Sequence, residues 1–191
     1  SPEVDHVHMT GGKGTHDAIV WGSPNPHGQR EQNKLGKPIT SELGTISPYI
    51  IGPGEWTDEE LKHHAKYAAT VTMNNNGANC MAPQLLFLPA HGFPREKFLE
   101  MLKAVFRARP HAPPYYPGTN SRYTAWLEGL KGKSGVHTEL VESDVKLPAG
   151  RYGPALPWAL SMCDFEDLSS ASSEWNIITQ EEVFGPALAI V

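Results

Sequence analysis

A chain of 191 residues with 39% hydrophobic and 19% charged side chains is long enough for one large domain, or two partial ones, around a sizeable core. Its net charge of −5 and pI near 6.0 offer no basic field to nucleic acid or anionic lipid, and no apolar run approaches the roughly 18 residues that cross a bilayer. Its two cysteines, Cys80 and Cys163, fit neither a metal-type spacing nor a disulfide framework, so a reducing cytoplasm is the expected setting.

Residues 4–10 predict a buried strand, followed by the glycine turn "GGKGTH" and a short helix in "HDAIVWG". A Pro/Gly/Asn-rich connection over 23–37 leads to a second strand in "KPITSEL". Strand, glycine turn, helix, loop and strand make a βαβ unit with parallel strands. "SPYIIG" is a further short strand. Thr57 and Glu60 then form a capping box before a helix whose Leu61, Ala65, Ala68, Ala69 and Thr72 repeat on one face. That helix ends at "NNNG", where Gly77 suits a left-handed turn, and "QLLFLP" follows as a strand. Pro94 opens the next helix, with Phe98, Met101, Leu102, Val105 and Phe106 as its apolar stripe, and Pro110 stops it. "HAPPYYPGTN" connects to a helix around "SRYTAWLEGL"; strands are expected in "VHTELVE", "ALPWALSMC" and "PALAIV". The early strand and the bare apolar run at the end predict a piece of a longer protein.

Few residues stand out for chemistry. Cys80 lies past a helix C-terminus and before a strand, where a backbone turn holds a side chain in place and backbone N–H groups can steady an oxyanion. Position alone also fits an inert packing thiol. Glu42 ends an otherwise apolar strand; a carboxylate there is costly to bury unless paired or used, for example as a general base, and it also reads as a solvated strand end. "TGGKGTH" brings backbone amides near a phosphate, but it has neither the P-loop ending nor GxGxxG. His6 with His8, and His63 beside His64, lack a third ligand at metal spacing, so no metal is expected. "EEVFGPALAIV" runs two glutamates into Phe-Gly-Pro and a strand, a string that reads blandly as a turn before a strand.

Taken in order, three of these strings resemble the aldehyde dehydrogenase superfamily. "SELGT" resembles its Glu-Leu-Gly-Gly motif, "NNNGANC" its Gly-x-x-Cys motif and "EEVFGP" its Glu-Glu-x-Phe-Gly-Pro motif, while "VHMTGGKG" resembles the Phe-Thr-Gly-Ser turn before them. The resemblance implies an α/β fold: residues 1–44 as the last βαβ piece of a Rossmann-like cofactor domain, and 45–191 as the first part of the catalytic domain. It implies oxidation of an aldehyde to a carboxylic acid with NAD or NADP, in a full-length homo-oligomer of which this fragment is inactive alone. Carried over by position, Cys80 matches the nucleophile and Glu42 the base that activates water for deacylation, the two sharing one cleft. Glu182 matches the ligand of the nicotinamide ribose and Phe184 the aromatic beside the nicotinamide. Leu43 matches a residue whose backbone nears the carboxamide, and Gly11 and Gly12 the turn near the pyrophosphate. Thr45, Ala78 and Gly12 depart from the usual residues, and the 110–160 region is divergent. Two other classes stay open on the residues alone. One is a cofactor-independent thiol hydrolase or acyltransferase using Cys80 and Glu42; the other is a non-catalytic domain.

Overall fold

In the computed structural model, residues 3–22, 35–169 and 176–191 are described. Most of the connection expected over 23–37 lies outside them. The chain divides into two compact units, Ser1–Thr45 and Ile46–Val191.

In the first unit, β1 (Val7–Thr10) and β2 (Ile39–Glu42) run parallel, with α1 (Lys13–Trp21) between them in sequence. Val7 stands opposite Ile39 and Thr10 opposite Glu42, so the strands end level. Two local expectations shift here. The helix begins at Lys13 rather than His16, with Gly12 as an N-cap that supplies no side-chain bond. Lys13 Nζ and His16 Nδ1 approach the buried Asp17 carboxylate at 3.3 and 3.1 Å, and this pairing draws the turn into the helix. The strand expected to be buried instead alternates half-buried Val7 and Met9 with exposed His8 and Thr10. A two-stranded sheet with one described helix has cover for one face only. On the other face His6 and His8 both hydrogen-bond the Thr40 hydroxyl.

The second unit is built on a five-stranded sheet in the order β3-β4-β7-β6-β5. Its strands are β3 (Ser47–Ile50), β4 (Pro83–Phe87), β5 (His137–Val141), β6 (Trp158–Met162) and β7 (Ala187–Ile190). All neighbours are parallel except β5, which pairs antiparallel with β6 at an edge. The helices are α2 (Asp58–Thr72), α3 (Arg95–Ala108), α4 (Thr119–Leu130) and two short ones the sequence did not announce, α5 (Phe165–Ser169) and α6 (Asn176–Thr179).

The central strands are apolar apart from the buried Gln84 of β4 and Ser161 of β6, because helices cover both of their faces. On one face Leu61, Ala65 and Ala69 of α2 and Phe98, Leu102 and Phe106 of α3 pack on Leu86, Trp158, Leu160, Leu188 and Ile190. On the other, Tyr123, Trp126 and Leu130 of α4 and Ile178 of α6 pack on Ala159, Ala187 and Ala189. Alternation along β6 and β7 sends large side chains to the first face and alanines to the second, which leaves space for the fully buried Trp126 indole. Its Nε1 donates to Ser161 Oγ at 3.1 Å, so the polar end is satisfied. Each fully buried Leu or Phe of this core contributes about 1.5–3 kcal/mol.

Helix α2 starts as its sequence requires. The Glu60 N–H donates to Thr57 Oγ1 at 3.3 Å and the Thr57 N–H to Glu60 Oε2 at 2.8 Å, completing the capping box. Its buried positions are the five that the spacing picks out: Leu61, Ala65, Ala68, Ala69 and Thr72. The consequence for function lies at its other end. Because β4 and β7 are adjacent and parallel, the segments entering them, around Cys80 and around Glu182, reach the same edge of the sheet.

Candidate functional site

The joint that carries Cys80 is built from left-handed backbone. Asn75 (φ 48°) and Asn76 (φ 57°) adopt this conformation as well as Gly77 (φ 74°), where the sequence pointed to the glycine alone. Asparagine tolerates that region better than most residues, and the fold uses the buried Asn76 twice. Its backbone continues the turn, and its Nδ2 donates to the Ala112 carbonyl at 2.9 Å. Gly77 has no room for a side chain: a Cβ there would lie 2.2 Å from the Gly185 carbonyl oxygen. Beyond it, Asn79 accepts from the Met81 N–H and donates to Asn74 Oδ1, both at 2.8 Å, while Ser47 Oγ donates to the Cys80 carbonyl at 3.1 Å. The Cys80 peptide is thus braced on both sides while its side chain is exposed. Its own N–H donates to no partner among the described residues, which leaves a donor beside the sulfur. Cys163, by contrast, is buried in the core beneath α4.

The acidic segment before β7 is held just as firmly. Gln84 of β4 is buried, and its Nε2 donates to the Glu181 carbonyl at 2.8 Å while its Oε1 accepts from the Val183 N–H at 2.9 Å. Arg122 of α4 donates from Nε to the Val183 carbonyl at 2.7 Å. Burial lowers the Arg122 pKa, and the charge of Glu182 acts in the opposite direction. Phe184 follows with φ 48°, a strained conformation for a bulky residue, and its ring meets the edge of Tyr116 at 5.2 Å. Gly185, next in line, is the residue that presses on Gly77. The thiol joint and the acidic–aromatic segment therefore touch through their glycines.

The remaining candidates lie in the first unit. Gly11 and Gly12 leave the C-terminal end of β1, and the Gly11 N–H donates to the Glu42 carbonyl at 2.9 Å. Gly11, Gly12, Glu42 and Leu43 thus share the carboxyl edge of a parallel pair, the edge on which α/β sheets bind ligands. A Cβ at Gly12 would meet no atom within 4 Å, so the turn is open. Glu42 is exposed, as a solvated strand end would be, and Thr10 Oγ1 donates to its Oε2 at 3.4 Å. Leu43 is half-buried. Cys80, Glu182 and Phe184 belong to the second unit.

No protein-family model matches the sequence, and no curated protein matches it significantly. Solved structures do. An aldehyde dehydrogenase from Bacillus cereus in complex with NAD+ superposes with a TM-score of 0.67 at 23% identity, over 98% of this chain and 35% of its own. A variant of aldehyde dehydrogenase C from Pseudomonas syringae, bound to NAD+ and octanal, gives 0.67 at 17% identity, over 100% of this chain and 36% of its own. The NADP-dependent glyceraldehyde-3-phosphate dehydrogenase from Bacillus halodurans C-125, complexed with NADP, gives 0.65 at 18%, over 100% and 35%.

The chain carries part of the aldehyde dehydrogenase fold.

It spans little more than a third of the length of those relatives. Within this fold the sequence reading missed Gln84, Arg122 and Tyr116, the side chains that hold the segment carrying Glu182 and Phe184. The bonds that Gln84 and Arg122 make to this segment span 61 to 99 residues of sequence, so no local motif announces them. Tyr116 was visible only as part of a rigid Pro/Tyr connection. Ala78 is buried at the turn, and its N–H donates to the Asn75 carbonyl at 3.1 Å. Thr45 is exposed and nothing in its surroundings explains the loss of the glycine.

Proposed function

We propose that this chain supplies the nucleophile and part of the cofactor platform of an NAD(P)-dependent aldehyde dehydrogenase, active within a longer polypeptide. The observation that carries the reading is the braced, exposed thiol of Cys80, coupled through Gly77 and Gly185 to the segment of Glu182 and Phe184. A hydrolase needs a nucleophile and a base but has no use for that second segment. Ser1–Thr45 would be the end of the cofactor domain and Ile46–Val191 the start of the catalytic domain.

The residues present fit a dinucleotide. The open turn at Gly12, at the carboxyl edge of parallel strands, suits a pyrophosphate, and the half-buried Phe184 ring suits a planar base. Gly11 and Gly12 would hold the pyrophosphate, the Leu43 backbone the carboxamide, Glu182 the nicotinamide ribose and Phe184 the ring. When bound, NAD(P)+ supplies the hydride acceptor. The protein's part is covalent and acid–base. Cys80, as the thiolate, adds to the aldehyde carbonyl and forms a carbon–sulfur bond, while the N–H of Cys80 steadies the oxyanion. After oxidation the acyl group remains on the same sulfur as a thioester. Glu42 takes a proton from the water that attacks it, releasing the carboxylic acid and the free thiol.

The test is NAD(P)H formation at 340 nm by a polypeptide containing this chain, with a panel of aliphatic and aromatic aldehydes and each cofactor. Activity that disappears in Cys80→Ala supports the reading. Full activity in that variant, or thioester hydrolysis with no dependence on NAD(P)+, would overturn it.

A further inference from the structure

Phe184 reaches the site in a conformation that costs energy, and one other aromatic ring meets it among the described residues. That ring is Tyr116, packed edge-on at an interplanar angle of 71° and itself 47% exposed. Nearly half of the Tyr116 surface stays open to solvent, so its contact with Phe184 lies at the surface and outside the buried core. The fold also fixes the two rings on a common frame. Gly118, left-handed at φ 79°, turns the chain from Pro117 into α4, and Thr119 Oγ1 donates to the Tyr116 carbonyl at 3.1 Å. The Arg122 guanidinium then joins both backbones. Its Nε donates to the Val183 carbonyl at 2.7 Å, its second terminal nitrogen to Thr119 Oγ1 at 3.3 Å and its first to the Pro117 carbonyl at 3.4 Å. A Cβ on Gly185 would come within 3.0 Å of Thr119 Cγ2, so the two segments are already at contact distance.

We propose that Tyr116 is a positioning residue for the nicotinamide end of the cofactor, its ring fixing Phe184 as one wall against which the nicotinamide packs. The inference rests on the dehydrogenase reading above. The chemistry suits it: oxidised nicotinamide is a planar cation, and a paired aromatic wall attracts cations as well as flat rings. Tyr116 needs no contact with the cofactor. It restricts the rotamers of a ring that has no other aromatic neighbour among the described residues, and the ring is the requirement rather than the hydroxyl.

The experiment compares NAD+ with ADP-ribose, which keeps the pyrophosphate but lacks the nicotinamide, by isothermal titration on the longer polypeptide. Tyr116→Ala should weaken NAD+ about two- to tenfold, the range an edge-to-face pair supports, and leave ADP-ribose affinity unchanged. Tyr116→Phe should restore NAD+ binding. Equal weakening of both ligands would reveal a merely structural role, and unchanged NAD+ affinity would remove the ring from the site; either result overturns the inference while leaving the dehydrogenase reading intact. Failure of the unsubstituted protein to bind NAD+, NADP+ or ADP-ribose would instead overturn that reading, and this inference with it.

Discussion

Gly77→Ala puts the coupling between the two motifs to the test. The added methyl meets two separate costs. Its φ of 74° forces alanine into the left-handed region, at about 1–2 kcal/mol. The new carbon would also stand 2.2 Å from the Gly185 oxygen and 2.8 Å from its carbonyl carbon, both backbone atoms that no rotamer change can move. Relieving that overlap requires a shift of the chain, for which overpacking costs about 1–3 kcal/mol. The expected loss is therefore about 2–5 kcal/mol, a large share of a typical domain's stability. Gly92→Ala separates the two costs, because Gly92 has φ 67° but nothing within 4 Å of a new Cβ. Urea unfolding of both variants should show Gly77→Ala the less stable by about 1–3 kcal/mol. Equal losses would refute the close approach of the thiol joint to the segment before β7.

Gln84→Leu removes one buried and one part-buried hydrogen bond and strands the Val183 N–H, so urea unfolding should register a loss of about 2–4 kcal/mol. His111 is buried with its Nε2 at 2.9 Å from the Phe106 carbonyl, and burial is the main cause that lowers its pKa from 6.5. A depressed histidine binds protons more readily unfolded, so stability should fall as pH drops below about 6.5; His111→Gln should flatten that acid limb in unfolding curves at pH 5 and 7.5. Tyr123, whose hydroxyl donates to the Pro157 carbonyl at 2.9 Å, has its pKa pushed up from 10.0 to about 12, mainly by burial and then by Glu142. Its contribution is whole below pH 10 and is lost as pH rises toward 12, so thermal melts of Tyr123→Phe should show a shallower decline across that window.

Regular packing was the part of the fold most open to sequence reasoning. The capping box and the spaced alanines of α2 act within four residues of one another, so their pattern survives in one dimension. The same holds for the buried Phe98, Leu102 and Phe106 of α3 and for the apolar strands β4, β6 and β7. What escaped left no repeating pattern along the chain. Lys13 and His16 reward a helix start that glycine-rich propensity argues against. Asn75 and Asn76 take left-handed backbone that their residue type permits without requiring. Glu42 is exposed at the end of its strand, so its burial state does not separate a solvated strand end from a general base. The candidate residues themselves were legible as motifs, whereas the groups that hold them, Gln84 and Arg122, carry no local signature.

The central claim is that Cys80 forms the covalent intermediate and Glu42 clears it. Mass spectrometry of the Glu42→Gln polypeptide, quenched after mixing with propanal and NAD+, tests both roles at once. The account predicts a burst of NADH followed by slow turnover, with a propionyl group on the peptide that contains Cys80 and no adduct in a Cys80→Ala, Glu42→Gln double variant. An acyl group on another residue, or steady turnover in Glu42→Gln as fast as in the unsubstituted protein, would contradict it.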